Sequence, residues 1–397
     1  MLPPNRQLKK LWEICKFQNG FAFQSNSFKD KWEPILRISN IQNNWFSNER
    51  LVFFNPSNYG KNLDDFIVYP WDLVIAMSWA TTWKLAINNT NIQYYLNQRV
   101  WKFIFDDEIT KEYCHLFLST KIAENLQQSA WSAIPNLSTE QIKNILIPLP
   151  PLATQHKIVA KLDEISANIQ DSKSKITDEI NKLDKLWASS LGKVFEKWWW
   201  KLQTINSISH KIQYWYTWKT TEKGQFRYLR ITDIQNDNVE WEKVPFVEIS
   251  PEEAKKYELN TGDVVFARTG ATVGKSFLID KIGEDKIFAS YLIRVVPNYE
   301  YIKPEFLKYF FQSEIYWSQI LADVVWAAQP NFNGKKLGEI IIPLPDLETQ
   351  KSIVSHLDQL SQTISHIKAE YQWQLAYHDD LWASVLDQAF KGELVKE

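Results

Sequence analysis

The two halves of this 397-residue chain repeat one another, and no other feature limits the fold as much. "ILRISNIQN" (35–43) returns as "YLRITDIQN" (228–236), and "ILIPLPPLATQHKIVAKLDEI" (145–165) returns as "IIIPLPDLETQKSIVSHLDQL" (340–360). "WSAIPNLS" from Trp131 matches "WAAQPNFN" from Trp326, and "LWASSL" from Leu186 matches "LWASVL" from Leu381. The offset between copies drifts only from 191 to 195 residues. A period of that length is far too long for a solenoid and describes two similar domains, each followed by the same appendage.

Each copy begins with a mixture of strands and helices. "EPILRISNI", "DFIVYP", "DLVIAM" and "VWKFIF" are rich in β-branched and aromatic residues and are predicted strands. "KEYCHLFLSTKIAENLQQ" (111–128) predicts an amphipathic helix, with "KPEFLKYFFQSEIYWSQIL" (303–321) as its counterpart. Pro148, Pro150 and Pro151, and then Pro343 and Pro345, break whatever precedes them. After each break, apolar residues step by three and four: Ile158, Leu162, Ile165 and Ile169 in one copy, Ile353, Leu357, Leu360 and Ile364 in the other. Charged residues fill the remaining positions, as on a heptad seam. A helix over 152–195 has 44 residues and would measure roughly 66 Å. Two such helices in one chain pair most simply with each other, antiparallel; the alternative is that each packs on its own domain. The expected fold class is α+β: two similar mixed α/β domains in tandem, 1–151 and 197–346, followed by long helices at 152–196 and 347–397 that form an antiparallel coiled coil.

Bulk composition excludes several functions. A formal net charge of −2 gives no global basic field, so any nucleic-acid contact must come from local patches. Cys15 and Cys114 are too few for a disulfide framework or a zinc ribbon, and the six histidines form no metal-ligand spacing. No apolar run nears 18 residues and "MLPPNRQLKK" is no signal peptide, so the expectation is a cytoplasmic protein away from membranes. Enzyme motifs are broken where they begin. "NPSNYG" (55–60) differs from the N-P-P-Y box of amino-methyltransferases at Ser57 and Asn58. "GATVGKS" (270–276) has three residues between its glycines where a phosphate-binding loop needs four. Glu253 and Lys255 match a nuclease E-x-K, but "PEEAKKYEL" reads better as a solvated helix. No cofactor, metal or catalytic residue is expected.

One part of the repeat is odd. "WDLVIAMSWATTWKL" (71–85) aligns without gaps on "GDVVFARTGATVGKS" (262–276), so Trp71, Trp79 and Trp83 face Gly262, Gly270 and Gly274. The chain has 19 Trp and only 11 Gly, whereas glycine alone is ordinarily about 7% of residues. Some bacterial lineages read the UGA codon as glycine, and a gene of that kind translated with UGA as tryptophan would give this pattern. The alternative is a tryptophan-rich protein with aromatic loops. Codons discriminate the two.

The duplicated layout, the two IPLP segments, the L-R-I-x-x-I-Q-N segments and the final "LDQAFKGEL" (386–394) together resemble the specificity subunit of type I restriction–modification systems, over essentially the whole chain. The resemblance implies two target-recognition domains, each reading one half of a bipartite double-stranded DNA site. It further implies helices that set the half-site spacing and dock two modification (methyltransferase) subunits, with a motor–nuclease subunit added for cleavage. Candidate DNA contacts are Thr81 and Lys84 in the first loop, and Arg268, Thr272 and Lys275 in the second. Arg37 and Arg230, placed within strands, serve either to touch DNA or to pin their domains internally. The helix-pair candidates are the eight seam residues named above. The competing readings are a self-contained DNA methyltransferase or nuclease, which methyl transfer by the purified chain would reveal, and a coiled-coil scaffold without DNA recognition.

Overall fold

A computed structural model describes every residue except 1–4, 43, 77–83, 130–138, 198, 215–217, 236–237, 270–271, 284, 325–331 and 396–397; the side chains of 122–129, 139 and 323–324 also lie outside the description. It resolves into two compact units, Met1–Lys175 with Trp373–Glu397, and Ile176–Gln372.

Both units build the same pair of sheets. In the first, strands Cys15–Asn19, Val100–Phe105, Leu73–Ala76 and Lys84–Ile87 lie side by side in that order, all antiparallel. In the second, Ser209–Tyr214, Leu292–Pro297, Val264–Ala267 and Ser276–Leu278 repeat the order and sense. The inner strands Leu73–Ala76 and Val264–Ala267 are buried at every residue. Side chains alternate across a strand, so Leu73 and Ile75 join one core while Val74 and Ala76 join another on the opposite face. Val264 and Phe266 are divided from Val265 in the same way. A smaller sheet covers one of these faces. It contains a parallel pair in both units, Glu33–Leu36 beside Tyr94–Leu96 and Phe226–Leu229 beside Lys286–Phe288.

The long helices run over Leu152–Phe195 and Leu347–Lys391. Each follows an IPLP strand, which pairs with the strand opening its domain: Leu146–Leu149 with Gln7–Lys10, and Ile341–Leu344 with Lys201–Thr204. The glutamine of the repeated T-Q clamps that join. Gln155 Nε2 donates to Pro150 O at 2.8 Å. Gln350 Nε2 donates to Pro345 O and Tyr301 O, both at 2.9 Å, while its Oε1 accepts from the Lys303 N–H at 2.9 Å. Both side chains are buried.

Within the first unit the helices run antiparallel. Ile158 and Leu162 share a core with Val385, Leu386, Ala389 and Phe390, while Ser172 and His378 share a hydrogen bond of 2.7 Å and Lys173 pairs with Asp379. Within the second, Leu191 and Phe195 share a core with Leu357, and Asp184 pairs with Lys368. The heptad pattern predicted a seam throughout, but at these ends the helix residues are ordinary globular core, packed among strand residues such as Ile147 and Ile342. Both alternatives weighed from the sequence therefore hold, in different stretches of the same helices.

Two further expectations are corrected. The counterpart helix at 303–321 is broken into Pro304–Phe310 and Glu314–Val324, because the Ser313 hydroxyl accepts the Tyr316 N–H at 3.3 Å and starts a new helix, as an N-cap does. Arg37 and Arg230 lie just past their strands, at the entry to single 3-10 turns. The backbone N–H of each is taken by a side chain three residues on: Asn40 Oδ1 at 3.3 Å and Asp233 Oδ2 at 2.8 Å. That side-chain competition ends the strand.

Candidate nucleic-acid interface

The loop after Val264–Ala267 is held from several sides. Ala267 N–H donates to Lys275 O at 2.8 Å and Gly274 N–H to Ala267 O at 3.1 Å, which closes the hairpin. The fully buried Tyr316 hydroxyl donates to Gly274 O at 2.7 Å, and Phe332 N–H donates to Arg268 O at 2.9 Å. Behind the loop, Arg294 Nε and Nη2 each meet Asp263 Oδ2 at 2.7 Å, and Asn260 N–H donates to the same carboxylate at 2.7 Å. Burial pushes the Asp263 carboxyl up from its usual range, against the pull of Asn260 and Arg294. The first unit repeats the support, with Asp72 accepting from Tyr69 N–H at 2.8 Å and facing Lys102 at 3.5 Å.

So anchored, the loop presents Thr272 and Lys275 to an open cleft of about 720 Å³. The opposite lining comes from the repeated I-T-D-I-Q segment, with Thr232 and Gln235, and from Gln312 at the helix break. Gln235 Nε2 donates back to Thr232 O at 2.8 Å. The first unit builds the same juxtaposition: Gln42 Nε2 turns back to Ser39 O at 3.4 Å, and Lys84 Nζ donates to Gln42 Oε1 at 3.2 Å. The loop lysine is bonded to the glutamine of I-Q-N in the first unit and shares a cleft with it in the second. In the sequence of these segments the arginines stand out and the glutamines do not. Glutamine carries no motif of its own, and its place beside the loop depends on long-range packing.

The other candidates are distributed differently. Arg230 is forked onto Asp233, with Nε to Oδ2 at 3.0 Å and Nη2 to Oδ1 at 2.7 Å, and Arg37 Nη2 donates to Arg50 O at 2.7 Å. Those bonds lie within each arginine's own domain. Arg268 lies over the Tyr214 ring at 5.6 Å, and its Nε is buried with no hydrogen-bond partner among the described residues. Thr81 lies outside the described residues, as do Trp79, Trp83, Trp131 and Trp326. Of the helix candidates, Ile158, Leu162, Ile165 and Ile169 belong to the first unit, and Ile353, Leu357, Leu360 and Ile364 to the second. Ile158, Leu162 and Ile165 pack with the last turns of the second helix, and Ile353 and Leu357 share a core with Trp187, Leu191 and Phe195 of the first. Among the described residues no group of His, Cys, Asp and Glu is arranged to hold a metal ion, and no helix is long and apolar enough to cross a membrane.

Comparison with known proteins agrees with this duplicated build. The family model of the type I restriction modification DNA specificity domain matches twice, over residues 3–182 and 200–373. The type I restriction enzyme EcoKI specificity subunit of Escherichia coli (strain K12) is 27% identical over 403 residues, covering 94% of this chain and 84% of the relative. The EcoBI specificity subunit of Escherichia coli is 24% identical, covering 97% and 85%. A solved structure from work on complex assembly and conformational transition of the type I R-M system has a TM-score of 0.75 at 18% identity, covering 99% of this chain and 100% of that one. The HsdS subunit from Thermoanaerobacter tengcongensis has a TM-score of 0.55 at 18% identity, covering 99% and 98%. At that identity the likeness shows the fold.

Proposed function

The chain belongs to the family of type I restriction modification DNA specificity domains, and from that premise we propose that it is the DNA-reading, non-catalytic subunit of a type I restriction–modification complex in the cytoplasm. In this reading, 1–151 and 197–346 are target-recognition domains that each address one half of a bipartite, asymmetric duplex site. The helices of 152–196 and 347–397 set the half-site spacing and dock two methyltransferase subunits, which carry the methyl-transfer chemistry. A motor–nuclease subunit joins where the complex cleaves.

The observation that carries the reading is that each copy sets its loop lysine on the side of its turn glutamine, Lys84 bonded to Gln42 and Lys275 lining one cleft with Gln235. The groups suit duplex DNA. An exposed ammonium holds phosphate, and a carboxamide offers a donor and an acceptor side by side, which matches the major-groove edge of adenine. The segments after I-Q-N differ between copies, "NWFSNERLVFF" against "DNVEWEKVPFV", so the two half-sites differ as well. A chain of net charge −2 releases few counterions, and its partners must supply the remaining affinity.

The test is reconstitution with the modification subunits, followed by sequencing of the methylated DNA. A bipartite motif is expected, with Gln235→Ala altering the base preference of one half only. Methyl transfer by the purified chain with labelled S-adenosylmethionine and no partner would overturn the reading in favour of a self-contained enzyme.

A further inference from the structure

Five non-glycine residues among those described have positive φ, and two of them are tryptophans: Trp32 at 103° and Trp71 at 70°. Asparagine and aspartate, as at Asn44 and Asp285, are the side chains that tolerate this region; an indole-bearing residue gains nothing there. The value at Trp32 lies beyond the left-handed helical region altogether. Neither indole is packed away to offset the strain, with Trp32 59% and Trp71 64% exposed.

The backbone at Trp71 is that of a glycine elsewhere in the chain. Its N–H donates to Asn88 O at 2.8 Å, as that of the aligned Gly262 donates to Ile279 O at 2.7 Å. The following N–H donates to Tyr69 O at 3.1 Å in one copy and to Asn260 O at 3.0 Å in the other. Gly262 has φ 92°, and a Cβ there would lie 1.9 Å from the Tyr299 hydroxyl. Gly274, which aligns with Trp83, has φ 91°, and a Cβ there would lie 2.6 Å from a Trp317 ring carbon. These positions need glycine in the second copy, and the first copy writes tryptophan against them in a chain with 19 Trp and 11 Gly.

We propose that positions 32 and 71 are glycine in the native protein, inserted at UGA codons read as glycine. The assignment stands on backbone geometry and composition. Only its consequence for DNA reading rests on the function proposed above.

The deciding measurement is peptide mass on the protein purified from its natural source. Cleavage after Lys and Arg gives 32–37 and 62–84, which contain position 32 and positions 71, 79 and 83. Glycine masses at 32 and 71, with UGA in the gene, are the expected result. Tryptophan masses there, or UGG codons, overturn the proposal whatever the protein binds. The Trp71→Gly, Trp79→Gly, Trp83→Gly chain, assembled with modification subunits, is then expected to gain discrimination at one half-site over the tryptophan form. If glycine masses are found but neither form selects a sequence, the codon assignment holds and the DNA-reading function fails.

Discussion

Lys275 and Gln235 share one cleft but would do different work on a duplex. Lys275→Gln removes a phosphate-holding charge, so it should weaken binding by the complex evenly across sequences and lower the slope of log K against log salt by about 1 in a titration. Gln235→Ala should leave that slope alone and cost about 1–3 kcal/mol of discrimination at a single base pair, measured by competition between site variants. A third residue reports on the fold. His115 is pushed down to about 4 by burial, and its Nε2 has no hydrogen-bond partner among the described residues. An unfolded histidine titrates near 6.5, so between about pH 6.5 and pH 4 the unfolded chain binds the extra proton and stability falls as pH drops. That loss is on the order of 2–3 kcal/mol, and urea unfolding should show a flatter pH profile for His115→Gln over this range. At this scale the sequence was legible where the repeat doubled the signal: Thr272 and Lys275 stood out because their twins in the other copy are identical. Gln42 and Gln235 did not, because what makes them candidates is a neighbour about 40 residues away, bonded in the case of Lys84 and Gln42 and sharing a cleft in the case of Lys275 and Gln235. For Arg37 and Arg230 the sequence left two roles open, and the bonds of Arg230 to Asp233 are what the internal one requires.

Among the elements, the long helices were the easiest to foresee. The first keeps its apolar stepping across all of Leu152–Phe195, and proline fixes where it begins. What the stepping cannot tell is the partner. A heptad shows that one face is apolar and not what covers it, so it could not show that Ile158 packs among strand residues such as Ile147 as well as against Phe390. The broken helix at Phe311–Ser313 was missed because one serine outweighs the helical pattern on both sides. Two substitutions test these joints. Leu357→Ala empties a fully buried site and should cost 2–5 kcal/mol, as cavity-forming changes typically do, measured by denaturant unfolding. Gln350→Leu strands the carbonyls of Pro345 and Tyr301 and the N–H of Lys303, and should cost about 1–3 kcal/mol for each group left unpaired. Its effect should appear as faster amide exchange at the start of the second long helix.

On the scale of the whole molecule, the first unit is completed from far along the chain. Val385, Leu386, Ala389 and Phe390 fill its core, and Arg6 Nη1 donates to Ala389 O at 2.9 Å and Phe390 O at 2.8 Å. A chain ending at Gln372 should therefore lose protease resistance in 5–175 and keep it in 176–372, although the cut lies in neither sheet of the first unit. The repeat made two similar domains legible, but no periodicity could show that one of them borrows its last wall from residues more than 200 positions away. That borrowing sets a timetable on the ribosome. The second unit is one continuous stretch and can close as soon as it emerges, whereas the half synthesised first must wait, open on one side, for almost the last turn of helix to be made.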